Sequence, residues 1–284
     1  MSIQTIFVPL QKEDLLLPKL GYALALAGGL DSSIEVGFIH EGHDPATIDV
    51  NFTGGDVAKG FALNAEYRDQ IDVDALRRDL STWPETYRPP AGGRHPRIEM
   101  HEYWKGIDNV LARVGRLRDL ILTGPCRSRS NIFADSMSRA SLLMSARLIL
   151  GLGDVQVEPA RMLERVVIAW DGGASATRTV VQALPILRLA VNVSVVVIGN
   201  PSSSGPSTDD LVDYLSARQV TAQAVSHPKD LHTTGSALLK YLDLEKATLL
   251  LMGAYSHNRT GELIFGGTTV DVLERIRMPV LTSF

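Results

Sequence analysis

Short, unbroken runs of Val, Ile and Leu, each followed by a polar break and a helical pattern, constrain this chain more than any other feature. Residues 6–11 read IFVPLQ and residues 166–171 read VVIAWD. A helical pattern follows each, over 14–27 and 174–190. A second apolar run comes next, IEVGFIH at 34–40 and VSVVVIGN at 193–200. Near the close of each half, DLILTG at 119–124 matches TLLLMG at 248–253. A strand covered on both faces reads as continuously apolar, and strands alternating with helices build a parallel sheet with helices on both sides. The pattern predicts an α/β fold: two doubly wound parallel-sheet, Rossmann-like domains in tandem, 1–160 and 161–284.

The two halves differ in length. The extra residues of the first fall mostly in 41–97, a polar segment with Gly54-Gly55, Pro89-Pro90 and Gly92-Gly93 and a helical pattern over 57–80. Residues 154–161 are expected to join the halves. Residues 155–157 (VQV) read as the last strand of the first domain and Val280–Thr282 as that of the second, each an apolar edge. Such edges tend to pair, so the halves are expected to pair with each other, and a homodimer is a further option. Pro185 falls inside a helical pattern and is expected to kink it.

Bulk properties narrow the class. The chain has 284 residues, enough for two ordinary domains, and its 45% hydrophobic and 21% charged residues suit a globular protein with a sizeable core. No apolar run approaches the ~18 residues of a membrane span. The formal charge is −4 with no basic tract, which argues against nucleic acid as partner. The start, MSIQTIFVPL, has no basic region followed by a cleavable apolar segment, and the chain has one cysteine, Cys126. Both features predict a cytoplasmic setting.

The chemistry concentrates near the end, in LLLMGAYSHNRTGELIFGGTTVDVLERIRMPVLTSF. An apolar run stops at Gly253, a polar loop follows, and Gly266-Gly267-Thr268-Thr269 opens an amphipathic helix. Helix N-termini offer unpaired N–H groups and a partial positive charge, and glycines let a phosphate approach the backbone. Gly253, Ser256 and Gly266 resemble the G-x2-G-x9-G-[S/T] loop of universal stress proteins, with two departures. Ser256 stands at the second glycine, and Gly267 stands where Ser or Thr is usual, with Thr268 and Thr269 next. The alternative is a glycine-rich turn that only reverses the chain.

The resemblance implies the adenine nucleotide α-hydrolase-like fold and a site for ATP or another adenine nucleotide in the second half. It implies Asp171 near ribose and base, Ala169 as the small residue facing the base, Val197 meeting the adenine through its backbone, and Met252 closing the strand beside it. Gly253, Ser256, His257, Gly266, Gly267, Thr268 and Thr269 would serve the ribose and phosphates. A Mg²⁺ could arrive with the nucleotide. Other readings stay open: core packing for Val197 and Met252, and a turn or helix cap for Asp171. The first half departs further. Gln11 replaces Asp171, Met137 stands where a glycine is expected, and no nucleotide loop follows Gly124. Arg127 and Arg129 could hold an anion, and Cys126 beside them could be a low-pKa thiol, though a solvated loop explains both.

Three further constellations are weak. His40, His43 and Asp44, with His101 and Glu102 if the fold brings them near, could bind a divalent metal, but the spacing matches no strong signature; no metal is expected. Ser256, His257 and Asp171 contain a triad's residue types without the G-x-S-x-G elbow. Residues 170–175 (WDGGAS) lack the leading serine and the aspartate of an ATP pyrophosphatase loop, and Trp170 suits core packing. A stress-response binding module with little catalysis is therefore expected. An interaction protein with an empty pocket and an ATP-hydrolysing or adenylating enzyme are the alternatives.

Overall fold

The structure is a computed structural model describing residues 2–11, 16–40, 77–78, 80, 95–124, 136–153, 155–200, 205–229, 233–254, 256–257, 263–264 and 267–284. Strands β1 (Thr5–Leu10), β2 (Ser33–Ile39), β3 (Ile98–Tyr103), β4 (Leu120–Thr123) and β5 (Leu148–Gly151) come first in the chain. With them are helices α1 (Leu16–Leu30), α2 (Ile107–Arg113) and α3 (Ser136–Ser145). Then come β6 (Arg165–Ala169), β7 (Asn192–Ile198), β8 (Ala222–His227), β9 (Leu249–Leu251) and β12 (Val280–Thr282). Their helices are α4 (Ala174–Leu187), α5 (Thr208–Ser216), α6 (Thr234–Leu244) and α7 (Gly267–Arg275). A small antiparallel ribbon, β10 (Ser256–His257) with β11 (Leu263–Ile264), stands apart from the main sheet.

The main sheet has ten strands in the order β3-β2-β1-β4-β5-β12-β9-β6-β7-β8. Neighbours are parallel throughout except at one place: β12 runs antiparallel to β5, with Val280 opposite Gly151 and Thr282 opposite Ile149. This is the expected doubly wound α/β fold. The strands are short apolar runs because both faces are covered. Ile6, Val8, Leu122, Leu150, Val166, Ile168, Leu251 and Leu281 enter one core, with α1 and α4. Phe7, Ile121, Ile149, Val167, Leu250, Met252 and Val280 enter the other.

Both cores run without a break across the β5–β12 contact. Val280–Thr282 is a strand, as expected, but it lies mid-sheet with β9 on its other side, not at an edge. Residues 155–157 are not a strand. The last strand before the junction is β5, whose LILG run is short enough to be passed over as a helix end. The segment after β5 crosses the sheet end instead, where Gln156 N–H donates to the Arg277 carbonyl at 3.0 Å. Of the helical pattern expected over 57–80, only Arg77, Arg78 and Leu80 are among the described residues, and Leu80 is buried in the first core. Pro185 stands inside α4, yet the helix continues to Leu187. A missing N–H this close to the end removes one hydrogen bond from the last turn rather than breaking the helix.

Local chemistry sets the helix starts. Ser207 and Asp210 form a reciprocal capping box on α5, and Thr233 accepts from Ser236 N–H at the head of α6. The segment between the halves is held by α1. Gly21 lets Pro159 pack close, and the buried Tyr22 donates its hydroxyl hydrogen to the Val157 carbonyl.

Burial pushes the Tyr22 phenol up to about 12, above the ordinary tyrosine value of 10.0. The folded state thus favours the neutral phenol, and a phenolate cannot donate to a carbonyl. The stability tied to this group is intact below pH ~10 and is lost as the pH rises through about 12, because the unfolded chain releases the proton first. Tyr22→Phe should therefore flatten part of the fall in stability between pH ~10 and ~12. Urea melts of both proteins across that window check this; equal slopes would count against it.

Candidate functional site

Strand order turns at β6, which has β7 on one side and β9 on the other. In open α/β sheets the crevice at the carboxyl ends of strands flanking such a point is where ligands bind. Ala169 ends β6 half-buried, and Val197 and Met252 are buried at the ends of β7 and β9. Trp170, 6% exposed, packs into the core and donates from Nε1 to the Pro206 carbonyl at 2.8 Å. That bond lays the 205–206 turn over the loop leaving β6. Gly172 has a φ of 71°, and a Cβ on Gly205 would meet the Gly172 carbonyl oxygen at 2.3 Å. Both positions need glycine.

Asp171 is exposed, and its Oδ1 accepts from Gly173 N–H at 2.8 Å. The turn role left open for this residue is thus present, with the second carboxylate oxygen on the exposed side chain. Gly173 caps α4 through its backbone, without a side-chain hydrogen bond. Gly253 has a packing reason as well. A Cβ there would stand 2.9 Å from both Ala176 N and Ser175 Oγ, so β9 ends hard against the first turn of α4.

Beneath this contact lies a polar network not evident in the sequence. Thr179 Oγ1 accepts from Ser283 N–H at 3.1 Å, stands 3.1 Å from Ser283 Oγ and 3.4 Å from the Met252 carbonyl. Ser175 Oγ reaches the Ser283 carbonyl at 3.3 Å. Thr179 and Ser283 are wholly buried, and they tie the end of β12 to α4 and β9. The available signal was a threonine on the inward face of an otherwise apolar helix.

α7 supplies the remaining wall. Gly267 is exposed, and among the described residues nothing outside its own turn lies within 4 Å of where its Cβ would be. Thr268 is half-buried, while Thr269 turns inward and is 7% exposed. Ser256 and His257 lie in the β10–β11 ribbon, so this stretch of the expected loop is paired backbone: Ser256 opposes Ile264 and His257 opposes Leu263. Gly266 lies outside the described residues, as do Arg259, Cys126, Arg127 and Arg129.

The first half carries different residues at matching places. Ile6 pairs with Ile34 as Val166 pairs with Val193, so His40 takes the place of Gly199. By the same register Gln11 matches Asp171 and Thr123 matches Met252. The His40 ring stacks on Trp104, centroids 3.6 Å apart and planes 2° from parallel. Lys19, on α1, is 0% exposed and donates to the Pro9 carbonyl at 3.3 Å. Met137 is buried in the first turn of α3. His40 also meets Glu102 Oε2 at 3.0 Å, and Arg77 holds the other oxygen of that carboxylate at 3.1 Å. His101 instead faces Glu99. His43 and Asp44 lie outside the described residues, and among the described residues no three His, Cys, Asp or Glu side chains form a metal-sized group. No helix of the described residues is long and apolar enough to cross a membrane.

The fold is that of a doubly wound α/β protein whose strand order switches at β6. No family model matches the chain. A curated universal stress protein of Synechocystis is 27% identical over 175 residues, a match covering 58% of this chain and 57% of that protein. The chain thus spans little more than half the length of the curated relative it matches. A universal stress protein from Archaeoglobus fulgidus superposes with a TM-score of 0.65 at 16% identity, covering 98% of this chain and 97% of that one. A protein of unknown function from Pseudomonas aeruginosa gives 0.55 at 14% identity, covering 99% and 92%. The chain has the universal stress protein fold and a universal stress protein as its sequence relative.

Thr179→Val keeps the shape of the side chain but leaves the Ser283 N–H without its acceptor. A buried donor left unmade costs about 1–3 kcal/mol. Chemical denaturation should show a loss of that size, with Thr179→Ser close to the parent protein. An unchanged midpoint for the valine variant would remove the network from the account.

Proposed function

We propose that this chain is a tandem universal stress protein of the cytoplasm, with domains at 1–160 and 161–284. Its second half binds ATP or another adenine nucleotide, and it works as a stress-response binding module with little catalysis. The observation that carries the reading is a convergence at one switch point. The ends of β6 and β9 bring Ala169, Asp171, Met252 and Gly253 to that point, and α7, which opens on Gly267 and Thr268, shares a core with Leu250 and Met252 through Val272 and Leu273. The base would lie over Ala169, Val197 and Met252, with the phosphates toward α7, Ser256, His257 and Gly266. Any Mg²⁺ would come with the phosphates. The first half, with Gln11 and the stacked His40–Trp104 pair at matching places and a buried Lys19 on α1, is read as the half that binds no nucleotide.

Gly267 makes a clean test. Among the described residues, no atom outside its own turn lies within 4 Å of its missing Cβ, so Gly267→Val is accommodated by the described packing and adds bulk where the phosphates would lie. Calorimetry on the parent protein should show one ATP site per chain. The valine variant should lose about tenfold or more in affinity, ~1.4 kcal/mol, at an unchanged melting temperature. Two equal sites per chain, or full affinity in the variant, would contradict the reading. A protein taking up no adenine nucleotide would be the interaction module instead.

Rapid ATP hydrolysis needs an oriented water, a base and cations on the γ-phosphate. His257 and Arg259 are the candidates the loop sequence offers. Backbone donors that hold ground and transition states alike do not speed the chemical step. Steady-state turnover should therefore stay well below the common enzymatic range of ~1–1000 per second. Turnover within that range that disappears in His257→Ala would make the protein an enzyme.

A further inference from the structure

The helix assigned to the phosphate end is fastened to its neighbour by a polar seam. Thr233, the cap of α6, directs its hydroxyl to Asp271 Oδ2 on α7 at 3.0 Å. One turn further along each helix, Arg275 donates to Ser236 Oγ at 3.1 Å. Between these bonds the helices approach closely at Gly235. A Cβ there would stand 2.7 Å from Asp271 Cβ and 3.2 Å from the carbonyl oxygen of Thr268. Thr268 belongs to the first turn of α7, so Gly235 lets α6 lie directly against the backbone that begins the site.

We propose that Thr233, Gly235 and Asp271 are positioning residues for the phosphate end of the ligand. They fix the first turn of α7, and so govern affinity for the phosphates and not for the nucleoside. The inference rests on the nucleotide reading above. Its physical basis is that N–H donors aimed at an anion are effective only when held within about half an ångström of the productive geometry. Among the described residues, no atom outside its own turn lies near the missing Cβ of Gly267, whereas Thr268 and Asp271 are in contact with α6. Base and ribose would rest instead on β6, β7 and β9, at strand ends that the seam does not touch.

The experiment compares ATP with adenosine, titrated into the full chain by calorimetry. Thr233→Val removes the hydroxyl, Thr233→Ser keeps it, and Gly235→Ala wedges the helices apart while leaving the Thr233 hydroxyl and the Asp271 carboxylate in the chain. The valine and alanine variants should bind ATP about fivefold or more weakly, the scale of one lost hydrogen bond. Their adenosine affinity should stay within about twofold, and the serine variant should match the parent. The adenosine titration reports intact folding in each case, so a general loss of structure cannot imitate this split. Equal losses for both ligands, or no loss for either, in a parent that binds both would reduce the seam to helix packing and overturn the proposal while the nucleotide reading stands. A parent that binds neither ligand would overturn the nucleotide reading, and this proposal with it.

Discussion

Three residue pairs, Val280–Gly151, Leu281–Leu150 and Thr282–Ile149, join ten strands into one sheet. β12 is wholly buried and hydrogen-bonded on both sides, to β5 antiparallel and to β9 parallel. Remove it and β5 and β9 both present unpaired backbone, and each of the two cores is cut through its middle. The antiparallel sense of this single contact has a second effect. It turns the carboxyl ends of β1 and β4 toward one end of the strands and those of β6 and β9 toward the other. The two sets of strand ends therefore face opposite ways, and no single ligand can lie across both.

That separation lets the two sets of strand ends differ without disturbing the fold. In the second half, small or neutral groups stand at the strand ends, among them Ala169, Gly199 and Gly253, over the hydroxyl network of Thr179 and Ser283. In the first half, Gln11 stands in place of Asp171, Thr123 in place of Met252 and His40 in place of Gly199. Lys19, wholly buried on α1, donates to the Pro9 carbonyl of β1, as a buried polar head requires. The His40–Trp104 stack adds bulk beside β3, whereas Gly199 packs its bare backbone against Lys229.

The doubly wound architecture was legible because strands covered on both faces must be unbrokenly apolar. IFVPL, VVIA and LLL could hardly be anything else once they alternate with helices. The short LILG of β5 was not legible, because four apolar residues after a helix look like its continuation, and pairing alone makes them a strand. β8, with AQAVSH, carries too little apolar character to announce itself, since an edge strand need bury only one flank. At the site, Ala169, Val197 and Met252 were reached by laying the family resemblance over the apolar runs, and they lie at strand ends as those runs implied. Thr179, Ser283 and the Thr233–Asp271 seam could not, because each depends on two segments far apart in the chain meeting in space.

The glycines show how a motif should be weighed. Gly253 is part of the loop pattern, yet it would be required even if no ligand ever bound, since any side chain would strike the first turn of α4. Its presence therefore says little about a nucleotide. Gly267 departs from the same pattern, yet no described residue outside its own turn lies within 4 Å of its missing Cβ. Gly in a first helical turn costs backbone entropy relative to most residues. The described packing therefore gives no reason for this glycine, whereas it accounts in full for Gly253.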